Sequence, residues 1–361
     1  MPRQQTQALP HLRQAGLVLL HTRRAHLSLH AGERWGAKIN HQGGAIHVHA
    51  GAERIEPRLL RLRPRSPPDP APGETRDRAY GELTRLSPSA RYDSLLVTGE
   101  NGLLARGFKK EHISNYGALP ASQEEHDRLA RQLLVEICER FQTRHPLRGV
   151  PGYWEDGGRA RLWKSAGQAS PMLIIPVCDP DGRIQACQMR RAGGEGDRPR
   201  YFWLSSAGLP RGTGSGSPIH LNFRLDDLPT GATVFIVEGA LKAGAFAALR
   251  PGVHVVATAG VAANHDALIG VTRGLRVLIA FDQDHRWNRH VCRQLATLIA
   301  RRRRSEGTLE TTRVVTWDGR AKGVDDAALR QLPLRSLGAE RWLGSLSADL
   351  RQEVMSLWQE I

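Results

Sequence analysis

Between Leu228 and about Leu334 short apolar runs alternate with stretches of helical spacing. TVFIV (Thr233 to Val237), VHVVA (Val253 to Ala257), LRVLIAF (Leu275 to Phe281) and TTRVVTW (Thr311 to Trp317) read as strands. GALKAGAFAAL (Gly239 to Leu249), a segment near Ala262 to Gly270 and a longer one within Trp287 to Arg304 read as helices between them. Strands that are apolar without alternation are buried on both faces, and strand–helix–strand order makes their sheet parallel, with helices covering it. In such α/β sheets ligands bind at the carboxyl ends of the strands, where the connecting loops open.

Upstream, from about Asp77 to Arg224, the pattern is that of an α+β domain. Leu129, Leu133, Leu134, Ile137 and Cys138 share one helical face after a Ser122/Glu125 capping-box pattern. Pro171 to Arg191 gives two apolar runs around DPDG, a hairpin signal. Met1 to about Arg76 has little sustained period, holds seven of the 15 histidines, and closes with the proline-rich run RPRSPPDPAPGE, Arg63 to Glu74. Those histidines have no carboxylate or cysteine cluster beside them, so a poorly ordered tail is the simpler reading than a metal site. The expected organisation is therefore a low-complexity, disordered segment over 1–75, an α+β domain over 76–227, a parallel α/β domain over 228–334 and a helical tail over 335–361.

Charge adds a partner class. The 361 residues carry a formal +15 with pI near 10.5, which directs attention to polyanions, although only six of the basic residues are lysine and a compositional bias toward arginine fits as well. Cys138, Cys178, Cys187 and Cys292 are scattered without a CxxC pair, which argues against a zinc ribbon and a disulfide framework and for a cytoplasmic protein. AGLVLL, Ala15 to Leu20, is too short to span a bilayer, so neither a secretory signal nor a membrane helix is expected.

Three acidic features fall at one edge of the expected parallel sheet. The first strand ends in Glu238, followed by Gly239; the third ends FDQD, with Asp282 and Asp284; after the fourth comes KGVDD, Lys322 to Asp326. Alternate side chains of an extended segment point the same way, so Asp282 and Asp284 can reach one ion. Mg²⁺ suits one or two carboxylates plus substrate phosphates. Taken alone, the pair reads more readily as exposed aspartates at a strand-to-helix turn, one of them capping the helix; Glu238 on the neighbouring strand is what reverses the balance toward the ion.

VFIVEGALKA followed by VLIAFDQD resembles the Toprim domain, the metal-binding fold of bacterial primases, topoisomerases, certain nucleases and recombination mediators. The likeness covers roughly Thr233 to Leu329. It implies Glu238 as general acid/base or metal ligand, and Asp282 and Asp284 as ligands of Mg²⁺ (or Mn²⁺). ARGFKKEHISNYGALP (Ala105 to Pro120), MLIIPVCDPDGRIQACQMRR, RYFWLSS (Arg200 to Ser206), EGALKA and KGVDD are similar to phage and plasmid primase-like proteins, in particular the family called domain of unknown function 3854. One departure matters: many replicative primases carry an acid four positions after the motif glutamate, and here that position is Lys242. A lysine there pairs with Glu238 or meets a phosphate. The zinc module and P-loop of fused primase–helicases have no counterpart in the sequence, so template recognition is expected from another surface or protein, and a replicative helicase from another chain.

The resemblance implies metal-dependent nucleotidyl or phosphoryl transfer on single-stranded or duplex DNA, with nucleoside triphosphates as substrates of a primase, in replication of a mobile element. Lys242, Lys322, Arg106, Lys109, Lys110, Arg190, Arg191 and Arg200 are the candidate nucleic-acid or phosphate contacts, with Tyr201 for stacking; each also reads as an ordinary solvated surface residue. A Toprim nuclease and a catalytically inactive DNA-binding protein on the same scaffold are the alternatives. Topoisomerase is disfavoured, since only five tyrosines are present and no separate cleavage domain has room.

Overall fold

A computed structural model describes residues 18–21, 26–30, 35–39, 46–50, 69–141, 147–163, 170–192, 199–307 and 311–361. Tertiary contacts divide the chain into Met1–Ser66 and Pro67–Ile361. In the first unit β1 (Val18–His21), β2 (His26–His30), β3 (Trp35–Ile39) and β4 (Ile46–Ala50) pair antiparallel in sequence order. The rest of residues 1–68, on which much of the expected disordered segment falls, lies outside the described residues.

The second unit opens with a lobe built on an antiparallel sheet. Helix α1 (Gly73–Leu86), the single turn α2 (Lys110–Ile113), strand β5 (Gly117–Leu119) and helix α3 (Gln123–Phe141) precede a small hairpin, β6 (Tyr153–Asp156) with β7 (Arg159–Leu162). Then β8 (Met172–Cys178), β9 (Ile184–Arg191) and β10 (Tyr201–Trp203) complete a sheet of order β10-β9-β8-β5. The serine half of the expected capping box starts α3: Ser122 Oγ accepts the Glu125 N–H at 3.2 Å, while the Glu125 carboxylate accepts from the Ser122 hydroxyl at 2.9 Å. The DPDG turn closes because Asp179 Oδ1 accepts the N–H groups of Asp181 and Arg183, both at 2.9 Å. Strand β8 is apolar on both faces for a visible reason. Met172 and Ile174 join Tyr80, Leu83, Leu129 and Leu133 of α1 and α3, whereas Leu173, Ile175 and Val177 join Phe108 and Tyr116 on the other side.

That other side is closed by the first helix of the following sheet. In chain order come β11 (His220–Leu221), β12 (Thr233–Glu238), α4 (Ala240–Leu249), β13 (His254–Thr258), α5 (His265–Val271), β14 (Arg276–Ile279) and α6 (Arg289–Glu306). They continue with β15 (Thr312–Thr316), α7 (Val324–Leu329), β16 (Arg335–Gly338), α8 (Ala339–Gly344) and α9 (Ala348–Glu360). The six strands lie in the order β11-β13-β12-β14-β15-β16. The inner four are parallel, as their continuous apolar runs predict, and β11 and β16 are antiparallel edges. One face packs Ile236, Val277 and Ile279 against Leu295, Leu298 and Trp342; the other packs Val237, Val255 and Val315 against Ala243, Phe246 and Val324.

Alanine-rich α4 has too little side-chain bulk to hold its neighbours apart, and it is covered twice. Ala243 and Phe246 meet the parallel sheet, while Ala240, Leu241, Ala245 and Ala248 meet the antiparallel lobe. The chain leaves β12 toward β13 by α4, then recrosses to β14 on the opposite side of β12 by α5. Strand order therefore reverses at β12, and the crevice of a parallel sheet opens where β12 and β14 end. The tail differs from its purely helical expectation: Arg335–Gly338 pairs with β15 before the chain turns into α8 and α9.

Candidate functional site

Glu238 is the last residue of β12, and Gly239 turns the chain into α4 with φ of +83°, a conformation that a side chain would strain. That turn sets Lys242 at the start of α4, where its ammonium donates to Asp282 Oδ1. Helical spacing anticipates Glu238 as the partner of Lys242. Glu238 belongs to the strand, however, so the helical four-residue relation does not hold between them, and the bond goes to the neighbouring strand's aspartate.

Beyond β14, Ala280 N still donates to Ile236 O at 2.8 Å, which carries the pairing toward Asp282. The extended geometry ends there. Gln283–Arg286 is a 3₁₀ turn, so Asp284 is not the second side chain of a strand, and strand alternation does not bring it beside Asp282. Asp282 N lies 3.4 Å from Glu238 Oε1, and Asp282 Oδ2 lies 3.8 Å from the exposed ammonium of Lys322. Asp284 Oδ1 is buried without a hydrogen-bond partner.

Asp325 joins the same edge from the first turn of α7, and Arg106 reaches it from the antiparallel lobe with Nη2 at 2.5 Å from Oδ2. The sequence offers Lys322 in KGVDD and Arg106 separately; 219 residues divide Arg106 from its partner, and no local pattern announces a pair at that distance. Four carboxylates and three cations thus share one edge. Burial lifts the Glu238 carboxyl above the usual range, Lys242 opposing and Asp282 and Asp284 adding to it, which favours a group able to carry a proton. Burial works against the charge of Lys242, but Asp282, Asp325 and Glu238 outweigh it and hold its pKa above that of an ordinary lysine.

Arg190, at the end of β9, is 1% exposed, and its Nε and Nη2 have no hydrogen-bond partner. Burial lowers its pKa; Tyr201, which hydrogen-bonds the guanidinium, opposes the shift, and Arg200 and Arg106 press in the same direction as burial. Arg191 is stacked over Phe202, 4.9 Å from the ring centroid. Lys109 and Lys110 are exposed, and the ammonium of Lys109 lies 3.8 Å from Glu111. Trp287, 69% exposed immediately after the turn that holds Asp284, is a flat apolar face that sequence reading overlooked.

Among solved structures, the RNA polymerase domain of Mycobacterium tuberculosis primase DnaG is similar at 15% identity and a TM-score of 0.51, over 81% of this chain and 99% of that one. The fold is primase-core-like. The same domain in complex with a double-stranded DNA follows at 16% identity and a TM-score of 0.49, over 79% and 98% of the two chains. A DNA primase domain from Pseudomonas aeruginosa follows at 16% and 0.47, over 78% and 95%. No family model matches the chain, and no curated protein matches it.

Does this edge fit the divalent ion that its carboxylates suggest? In its favour, Asp284 Oδ1 is left without a hydrogen-bond partner. Against that, Lys242 already holds Asp282, and as the side chains stand with Lys242 between them, no three His, Cys, Asp or Glu side chains among the described residues form a group able to hold a metal ion. As arranged, the donor set does not fit bound Mg²⁺. Nor is any helix among the described residues long and apolar enough to cross a membrane.

His285, inside the acidic turn, yields a pH prediction. It is 1% exposed, its Nδ1–H donates to Asp282 O at 3.0 Å, and its buried Nε2 has no partner to receive a second N–H. Burial pushes its pKa down to about 4. Above pH ~6.5 the ring is neutral in both folded and unfolded chains, so the stability is complete there. As pH falls from ~6.5 to about 4 the unfolded chain takes a proton that the folded chain refuses, and stability drops by up to about 3 kcal/mol. Urea melts across that range should show the loss, with a smaller one in His285→Gln; equal slopes in both proteins would remove His285 as the cause.

Proposed function

We propose that this chain acts on nucleic acid as a primase-like protein in the replication of a plasmid, phage or other mobile element, holding a phosphate backbone along the cations Lys322, Arg190 and Arg200. The observation that carries this is Arg190. A guanidinium buried beside other arginines, met by Tyr201 but with Nε and Nη2 unfilled, is costly until an anion completes it, and phosphate matches its fork. The primase-like core supports the reading, as does the likeness of the Glu238 and Asp282–Asp284 motifs to the Toprim domain and to the family of domain of unknown function 3854. Trp287 beside the same edge offers a stacking surface for a base. One observation favours the catalytic alternative, nucleotidyl transfer on a metal: the unpartnered Asp284 Oδ1.

Fluorescence anisotropy with labelled single-stranded and duplex DNA tests the proposal. Arg190→Gln is expected to weaken binding at least tenfold, corresponding to about 1.4 kcal/mol. Each lost phosphate contact should lower the salt slope by about one. Unchanged affinity in Arg190→Gln and Lys322→Ala would remove the proposed path. Labelled nucleoside triphosphates with template and Mg²⁺ or Mn²⁺ distinguish the chemistry. Metal-dependent oligomers absent from Asp282→Ala/Asp284→Ala would establish transfer, shortened template a nuclease, and neither product a binding protein.

A further inference from the structure

We propose that Lys242 is the resident cation of the acidic edge: its ammonium takes the place among Glu238, Asp282 and Asp325 that a divalent ion would otherwise fill. This deepens the nucleic-acid reading and rests on it only for what the edge meets; the occupancy itself stands on geometry.

Lys242 donates to Asp282 Oδ1, and its charge is held by Asp325 and Glu238 as well. The loop before α7 is shaped around it. A Cβ at Gly323 would lie 3.1 Å from both Cε and Nζ of Lys242 and 2.6 Å from Asp325 Oδ1, so a side chain at 323 would displace the lysine or the aspartate. Both side chains of the Lys242–Asp282 pair are largely shielded from water, at 14% and 13% exposure. An ammonium asks for three acceptors in tetrahedral directions, whereas Mg²⁺ demands near-octahedral oxygens at about 2.1 Å; the two cannot share this space. With Asp282 satisfied from within, the exposed Lys322, 3.8 Å from its other oxygen, remains free to meet a phosphate. Nucleic-acid binding is accordingly expected to survive chelation of divalent ions.

The test is a Mn²⁺ titration of the full chain followed by electron paramagnetic resonance, for the unaltered protein, Lys242→Met and Lys242→Glu, with circular dichroism to confirm folding. The unaltered protein should leave the free-ion signal undiminished, and a folded variant should take up one ion per chain that Asp282→Asn in the same background removes. Stoichiometric Mn²⁺ uptake by the unaltered protein, lost in Asp282→Asn/Asp284→Asn, overturns the proposal, and that arm decides the matter even where a lysine variant does not fold. Folded lysine variants that take up no ion overturn it too. DNA anisotropy with and without a chelator reads the functional proposal separately: absence of DNA binding in both conditions sinks that reading and leaves the ion titration unaffected, whereas binding lost only on chelation overturns the resident lysine.

Discussion

Arg106→Met is expected to lower the unfolding free energy by about 3 kcal/mol, because it strands a buried carboxylate. Asp325 retains only 4% side-chain exposure, and Arg106, itself 23% exposed, is the cation that reaches it from the other lobe. Burial already holds the Asp325 carboxyl above its usual range, with Arg106 and then Lys242 pulling it back. Losing Arg106 leaves Lys242 to serve Asp282 and Asp325 together. Replacing both members with apolar residues of similar size, Arg106→Met/Asp325→Leu, should recover most of the loss, since the desolvation of the pair disappears with it. Denaturant melts of the singles and the double decide this. If Arg106→Met instead melts like the unaltered protein and weakens DNA binding alone, the arginine belongs to the nucleic acid and not to Asp325.

Trp342→Ala should be at least as damaging, at about 3–5 kcal/mol. The indole is fully buried in the core on one face of the parallel sheet, with ring centroids 6.3 Å from His285 and 6.4 Å from Trp358. Its Nε1 finds no acceptor there, so Trp342→Phe removes an unsatisfied donor along with some volume and is expected to cost far less than the alanine. Because the ring sits beside His285, hydrogen exchange in Gln283–Arg286 should quicken in Trp342→Ala. Exchange that stays unchanged in that turn would show that α8 supports the sheet but not the acidic edge.

The inner strands were legible because burial on both faces leaves an uninterrupted apolar signature, and because glycine after Glu238 marks where the strand must turn. Legibility stopped where the deciding partner lay far along the chain. Strands β11 and β16 are short antiparallel edges whose residues, His220–Leu221 and Arg335–Gly338, carry no periodic signal; their pairing comes from neighbours already in place. Alternation suggested that Asp282 and Asp284 share a side, but the period of two applies only while the backbone stays extended, and a 3₁₀ turn begins at Gln283. Lys242 was visible as an oddity. Its partner was not, since helical spacing pointed along α4 to Glu238 while the bond crosses to the end of β14.

Lysine and glutamate codons differ at their first base alone. One transition at position 242 would exchange an ammonium for a carboxylate at the start of α4, in space that Gly323 leaves open. A fold with this clearance stands a single mutational step from drawing its cation from solution instead of from its own sequence, with the surrounding strands and loops untouched.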